Sequence, residues 1–372
     1  MKVGLNLVFL TPGEQGGMET YVRELLPRLA QIESLDLTVF AGRNCAGQLI
    51  APAAGVREVV VDVDARDRKQ WVLGEQVHLP RLAKAAGCHV VHSLASTAPL
   101  RGAFKRVTTV HDLNYKLVPD THSGARGLGM RVLVPAAVRR SHRVIVDAAS
   151  TADDLVAHLG TRRDKIDVVP LAVTEQPAVT PTPERELRER LGLGGSPLLL
   201  TFSAKRPHKN LMRLIEAHAA LPVPRPVLML PGYATPYEDD LRARVEQLGT
   251  TADVRFEGWI SDEDREGLYA IAAAFAFPSL YEGFGFPPLE AMARGVPVVT
   301  TDRGSLAEVV GGAALTVDPD STEQLRDAIA RLLTDESERE RLKLLGREQV
   351  AKFSWDETAR LTAESYARAL DA

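Results

Sequence analysis

The sequence predicts an α/β protein with two Rossmann-like domains facing across a cleft. Three observations carry this. Short apolar runs alternate with amphipathic stretches along the chain, the pattern of strands joined by crossover helices into parallel sheets. A polar, proline-rich stretch between 174 and 183 interrupts the alternation and reads as an interdomain linker. The 372 residues also exceed the ~250–300 at which one hydrophobic core stops growing.

The elements follow in order. The run Met1-Lys2-Val3-Gly4-Leu5-Asn6-Leu7-Val8-Phe9-Leu10 has the charge and apolarity of a signal peptide. It is short, contains Asn6 and precedes a glycine-rich turn, so it reads instead as a buried first strand. Further strands are expected at 37–41, 56–61, 90–93, 107–110, 144–146 and 166–169, and after the linker at 197–203, 227–231, 254–257, 274–277, 297–300 and 314–317. A last helix follows Phe353-Ser354-Trp355, with Ser354 or Asp356 as its N-cap.

Composition narrows the function. Against 45 Lys plus Arg stand 49 Asp plus Glu, a formal charge of −4, which removes the electrostatic case for binding nucleic acid. Two cysteines, Cys45 and Cys88, make neither a disulfide framework nor a thiolate metal site and fit a reducing cytoplasm. No window of about 18 apolar residues is present to span a bilayer. Lysine is scarce, 10 of the 45 cations, so each lysine is informative.

The richest segment is Phe277-Pro278-Ser279-Leu280-Tyr281-Glu282-Gly283-Phe284-Gly285-Phe286-Pro287-Pro288-Leu289-Glu290-Ala291-Met292-Ala293. A strand ends, a Gly-x-Gly turn lets backbone approach a ligand, and paired prolines open a helix whose N-terminus suits a pyrophosphate. Glu282 and Glu290 flank the turn, and carboxylates are acceptors suited to hydroxyls. In Thr201-Phe202-Ser203-Ala204-Lys205-Arg206-Pro207-His208-Lys209-Asn210-Leu211, three cations cluster at the carboxyl end of a strand, which makes an anion site.

These segments resemble the retaining glycosyltransferases of family 4, which have the two-domain B-type fold (GT-B) and a Glu, seven residues, Glu signature. The resemblance implies that Glu282, Gly283, Phe284 and Gly285 contact the donor sugar, that Leu289 lies in the same donor-binding turn, and that Glu290 holds the ribose. It implies that Lys209 neutralises the donor diphosphate. Where relatives often carry Gly-Arg six residues before that lysine, this chain has Phe202-Ser203; Ser203 is carried over as a donor contact, and either Lys205 or Arg206 supplies the second cation.

In the first half, Gly16 and Gly17 match the family loop that approaches the donor. His111 matches a His-Asp segment near the sugar, offering either its ring or its backbone carbonyl, while Asp112 fixes the loop. Trp259 and Ile260 match the loop that receives the base. The final Phe-Ser-Trp resembles the segment that returns to the first domain, so the domains are 1–173 with about 355–372, acceptor-binding, and 174–354, donor-binding.

The implied partners are a nucleotide-diphosphate sugar, a UDP- or GDP-sugar with uracil or guanine as base, and an acceptor alcohol such as a sugar, a lipid-linked sugar or a natural product. No cofactor is expected, since Gly13 to Tyr21 lacks a dinucleotide fingerprint, and no metal, since no Asp-x-Asp pair sits between a strand and a loop. The leaving diphosphate is then stabilised by side-chain cations, with Lys209, Glu282 and His111 as the catalytic candidates. A nucleophilic role for Glu282 stays open. Arg126, Arg131, Arg139, Arg140 and Arg143 around an apolar stretch raise peripheral docking at the inner membrane face, although glycines and Pro135 weaken a continuous helix there. Two other readings of the same fold are a sugar-nucleotide epimerase or hydrolase, and a non-catalytic sugar-nucleotide-binding subunit.

Overall fold

Runs of Val, Leu and Ile buried on both faces favour parallel strands covered by helices. In the computed structural model β1 (Lys2–Leu7), β2 (Asp36–Gly42), β3 (Arg57–Val61), β4 (Val90–Ser93), β5 (Lys105–Thr109), β6 (Arg143–Val146) and β7 (Ile166–Val168) form one parallel sheet, ordered β3-β2-β1-β4-β5-β6-β7. The structure describes residues 1–14, 16–49, 55–118, 124–174 and 179–372, and within 124–128 the backbone alone. β1 is central, with Leu5 opposite Val39 on β2 and His92 on β4.

β8 (Leu198–Leu200), β9 (Val227–Pro231), β10 (Val254–Glu257), β11 (Ala272–Phe277), β12 (Val298–Thr301) and β13 (Ala314–Val317) form a second parallel sheet, ordered β10-β9-β8-β11-β12-β13. The two compact units are Met1–Leu171 with Ser354–Ala372, and Ala172–Phe353. In the second unit Leu199, Leu214, Leu228, Ala276 and Val299 belong to one buried cluster, against which Leu325 and Ile329 of the helix Thr322–Thr334 also pack. β8 is shorter than the run 197–203: Thr201 and Ser203 still donate their N–H groups to Met229 and Pro231, both at 3.2 Å, before the chain turns away.

The helix Gly124–Arg140 is continuous through Pro135, contrary to the weakening expected from its glycines and proline. Burial decides this, since Val134 and Val138 pack with Val110, Leu113 and Val144 in the core. Arg131, Arg139 and Arg140 are exposed, the Arg126 side chain lies outside the described residues, and Arg143 is not available to a membrane because it pairs with buried Asp167. Among the described residues no helix is long and apolar enough to cross a membrane.

The closing helix Trp355–Asp371 is capped by Ser354, whose Oγ accepts from Asp356 N–H, so the cap is the serine rather than the aspartate. It is bound into the first unit by polar bonds under its apolar face. Thr358 Oγ1 donates to Pro170 O at 2.7 Å, and Ser365 Oγ donates to Asp167 Oδ2 at 2.7 Å. Asp167 also accepts from Arg143 on β6, by Nε at 2.8 Å and by a second nitrogen, and from Arg368 on the helix. Burial disfavours the Asp167 anion, but the Arg143 and Ser365 bonds and both guanidiniums outweigh it and hold the carboxyl below its usual range.

A carboxyl whose folded pKa is depressed contributes stability above its unfolded value and loses it as pH falls through the folded value. Asp167→Asn should therefore cost roughly 3 kcal/mol at neutral pH, the scale of breaking a buried pair from one side, and the difference from the parent should vanish in strong acid. Urea unfolding of both proteins at pH 7 and at a series of lower pH values checks this, the gap narrowing only as the pH falls below the ordinary carboxylate range; equal stability at pH 7 contradicts it.

Candidate functional site

The second unit gathers its chemistry where β8 and β11 end. After β11 the loop 278–285 is fixed by bonds to its neighbours: Ser305 Oγ donates to Phe284 O at 2.6 Å, Thr301 Oγ1 to Ser279 O at 2.6 Å, and Leu280 N to His208 O at 2.8 Å. Gly285 turns the chain at φ 109°, and a β-carbon there would lie 2.8 Å from Leu306, so only glycine fits. The helix Phe286–Ala293 begins at once.

That helix end differs from expectation in one respect. Pro287 and Pro288 have no N–H, and Leu289 N–H is directed at Gly285 O, so backbone donors for a phosphate are few. The Leu289 side chain is fully buried in the core, which corrects its placement as a donor contact. A phosphate placed here would depend more on side-chain cations.

Lys209 is placed for that. It ends the short turn Pro207–Lys209, its ammonium lies 5.3 Å from the centre of the Phe277 ring, and its Nζ donates to Glu282 Oε1 at 2.6 Å. Both side chains are mostly covered, 17% and 12% exposed, so the pair is a shielded ion pair at the strand ends. The expected sugar-binding carboxylate and the expected phosphate cation thus hold each other.

The choice between Lys205 and Arg206 is decided by direction. Lys205 is fully buried, and its Nζ donates to Gly232 O at 2.5 Å and Glu257 O at 2.6 Å. Burial pushes its pKa down to about 8. It braces the loops after β9 and β10 and is corrected from phosphate cation to structural tie. Arg206 is half-buried and has no side-chain hydrogen bond or ion pair among the described residues, so of the two its charge is the one not committed to protein groups.

Ser203 Oγ is buried without a hydrogen-bond partner, beside the close approach of Ser203 to Gly232; a β-carbon on Gly232 would lie 2.2 Å from Ser203 O. The loops after β9 and β10 meet through Gly232 N–H donating to Gly258 O at 3.0 Å. Each then presents an exposed aromatic ring, Tyr233 at 62% and Trp259 at 72%. Ile260 is half-buried. Sequence reading missed Tyr233, whose only signal was the Pro-Gly turn at the end of a strand.

Glu290 accepts from the Tyr269 hydroxyl at 3.2 Å. Burial raises its pKa, and nearby Arg265 and Arg294 together with the Tyr269 bond only partly offset this.

In the first unit Gly16 and Gly17 are exposed at the start of the helix Gly16–Ala30; Gln15 lies outside the described residues. His111 follows β5. Its Nε2 lies 2.9 Å from Leu94 O, a pure acceptor, and its Nδ1 lies 2.6 Å from Asp147 Oδ2. The first contact requires Nε2–H, and the second requires a further proton between ring and carboxyl. Burial opposes a charged ring, but Asp147 and the Leu94 bond outweigh it and raise the His111 pKa. With both nitrogens engaged, the ring is not free to bind a sugar, and of the two expected options the backbone carbonyl remains. Asp112 accepts from Asn114 N and Nδ2, both at 2.9 Å, and fixes the loop.

Behind His111 runs a buried polar chain: Tyr366 hydroxyl to His92 Nδ1 at 2.8 Å, His92 Nε2 to Thr109 Oγ1 at 2.8 Å, and Thr109 to the Tyr21 hydroxyl at 3.3 Å. The Tyr21 ring meets His111 edge to face at 5.2 Å. Burial depresses the His92 pKa to about 3, so its ring stays neutral.

The family described as Glycosyltransferase Family 4 matches residues 15–176, and that described as Glycosyl transferases group 1 matches residues 183–349. The chain is 31% identical to the O-antigen chain mannosyltransferase B of Escherichia coli over 70% of each chain. It is 27% identical to a GDP-mannose-dependent alpha-(1-6)-phosphatidylinositol monomannoside mannosyltransferase of Mycobacterium tuberculosis over 95% of each. Its match to the longer serotype-specific mannosyltransferase WbdA of Escherichia coli covers 34% of that protein. Sucrose-phosphate synthase from Thermosynechococcus elongatus shares the architecture, with a TM-score of 0.79, 21% identity, and coverage of 99% of this chain and 98% of that one. With family matches on both halves, a relative above 30% identity and the two parallel-sheet units, the chain belongs to glycosyltransferase family 4 and is a hexosyltransferase with the GT-B fold.

Proposed function

We propose that the chain transfers a mannosyl group, with retention, from a nucleotide-diphosphate sugar, GDP-mannose first among candidates, to an acceptor hydroxyl without a metal. The single observation that carries this is the shielded Lys209–Glu282 pair at the carboxyl ends of β8 and β11. An incoming diphosphate offers Lys209 more negative charge than one carboxylate does. Lys209 and Arg206 then face the phosphates, and Glu282, released, accepts from sugar hydroxyls. Glu290 accepts from the ribose, and the exposed Tyr233 and Trp259 flank the base.

As the bond from the anomeric carbon to the phosphate oxygen breaks, charge grows on the diphosphate, and Lys209 stabilises it where little water competes. The acceptor oxygen attacks from the face the phosphate leaves, and the acceptor proton passes to that phosphate oxygen. The names of the mannosyltransferase relatives support the sugar and the base. The first unit holds the acceptor in this reading, and the exposed Arg131, Arg139 and Arg140 would meet an anionic membrane surface if the acceptor is lipid-linked.

Lys209→Ala should lower kcat by about 10²–10³ with a smaller change in donor KM, because the lysine acts on charge that develops late. Retention of more than about half the parent kcat at saturating donor would remove Lys209 from the phosphate site.

Glu290→Ala should weaken nucleoside diphosphate binding about ten- to a hundredfold, since each charge-assisted bond is worth roughly 1.5–3 kcal/mol. Because its pKa is raised, acidification should weaken binding at a higher pH than an ordinary carboxylate would, and calorimetry across pH reads both effects. Unchanged affinity in the variant contradicts the assignment.

Transfer of mannose from GDP-mannose should persist in EDTA. Loss of turnover in EDTA with recovery on adding Mg²⁺ or Mn²⁺ would overturn the metal-free step, and product released without added acceptor would point to hydrolysis.

A further inference from the structure

The strand order of the first sheet reverses at β1, which has β2 on one side and β4 on the other. In open parallel sheets the crevice outside the carboxyl ends at such a point receives ligands. The floor beneath it is buried yet polar. Asn6 at the end of β1 is 1% exposed, and Glu75 and Thr97 are each 2% exposed. Asn6 Nδ2 donates to Glu75 Oε1 at 3.0 Å and Thr97 Oγ1 donates to the same oxygen at 2.9 Å, while Gln76 Nε2 donates to Oε2 at 3.0 Å. Asn6 Nδ2 also reaches Ser93 Oγ, at 3.1 Å.

Glu75 and Gln76 lie in a wide π-type turn, Gly74–His78, a distortion that recurs at functional positions. From it they clamp the loop 94–100. Gln76 Nε2 donates to Ala98 O at 3.0 Å, and Leu100 N donates to Gln76 Oε1 at 3.0 Å. Within the loop Ser96 sits at φ 50°, a left-handed conformation uncommon for a serine. At its start, the Leu94 carbonyl takes the Nε2–H of His111.

We infer that Glu75 is a positioning residue for acceptor use, holding the loop 94–100 and, through the Leu94 carbonyl, the His111 segment. The inference rests on the proposed function, in which this unit holds the acceptor. A carboxylate suits the position because it accepts from three donors, whereas a glutamine would direct its own NH₂ at one of them. Burial raises the Glu75 pKa to about 7, against the bonds from Thr97, Asn6 and Gln76. The groups facing it are neutral: Asn6 from β1, with Ser93 of β4 behind it, Thr97 from the loop, and Gln76 from its own turn. Protonation makes one acceptor oxygen a donor facing donors, so acceptor use should fall as pH drops below about 7.

The test uses the full chain with GDP-mannose and a simple mannoside acceptor, comparing Glu75→Gln and Thr97→Val with the parent. Glu75→Gln should lower kcat/KM for the acceptor by about 100-fold, the scale of an ångström misplacement, and abolish the acid limb near pH 7. Thr97→Val should lose about tenfold and keep the limb. Nucleoside diphosphate affinity should stay within about twofold in both, and amide exchange at 94–100 should rise in Glu75→Gln.

Parent-like acceptor kinetics and acid limb in both variants overturn the inference. So does a parallel loss of nucleotide affinity, which would mark general damage. Should the parent transfer no sugar, the reading of function fails, and in that case unchanged exchange at 94–100 overturns the clamp as well.

Discussion

Parallel strands cannot be joined by tight turns, so every strand in a parallel sheet ends on the same edge and hands the chain to a longer crossover, in most cases here a helix, that carries it back. The rest of this molecule follows from that constraint. Lys209, Tyr233, Trp259, Glu282 and Glu290 all lie on the segments that leave the carboxyl ends of β8, β9, β10 and β11, although they span 82 positions of sequence from Lys209 to Glu290. Asn6, Leu94 and His111 are collected in the same way by the first sheet. Chemistry gathers there because loops diverge where the strand order reverses and leave a crevice outside the carboxyl ends.

The two edges handle charge differently. In the second unit the central contact is an ion pair with both partners mostly covered, Lys209 with Glu282. In the first unit the paired charge at this edge is confined to His111 and Asp147, and the groups around it are held by hydrogen bonds alone: His92 stays neutral between two hydroxyls, and Glu75 is surrounded by amides and a hydroxyl. A polyanionic ligand suits the first arrangement, because it can displace the carboxylate. A neutral polyol suits the second.

The strands were readable because buried parallel strands are short apolar runs, and these runs survive any change of loop. The helix Gly124–Arg140 was less so, since local rules weigh glycine and proline while Val134 and Val138 answer to the core. Lys205 and Arg206 are adjacent cations in the sequence, indistinguishable by type. What separates them is the fold of residues some thirty and fifty positions away, where the Gly232 and Glu257 carbonyls wait for one ammonium. Glu75 was invisible for a related reason: a lone glutamate in an amphipathic stretch reads as solvated until Asn6 and Thr97 are seen to close over it.

The closing helix bears on the order of assembly. Asp167 is made midway along the chain, but two of its partners, Ser365 and Arg368, are made only after the whole of the second unit. Emerging from the ribosome, the first unit therefore holds Asp167 with Arg143 alone and leaves uncovered the surface where Trp355 and Tyr366 will lie. The second unit, contiguous from Ala172 to Phe353, can condense before the first is finished. The domain that starts first is completed last, and for that interval the apolar surface awaiting the closing helix is open to solvent.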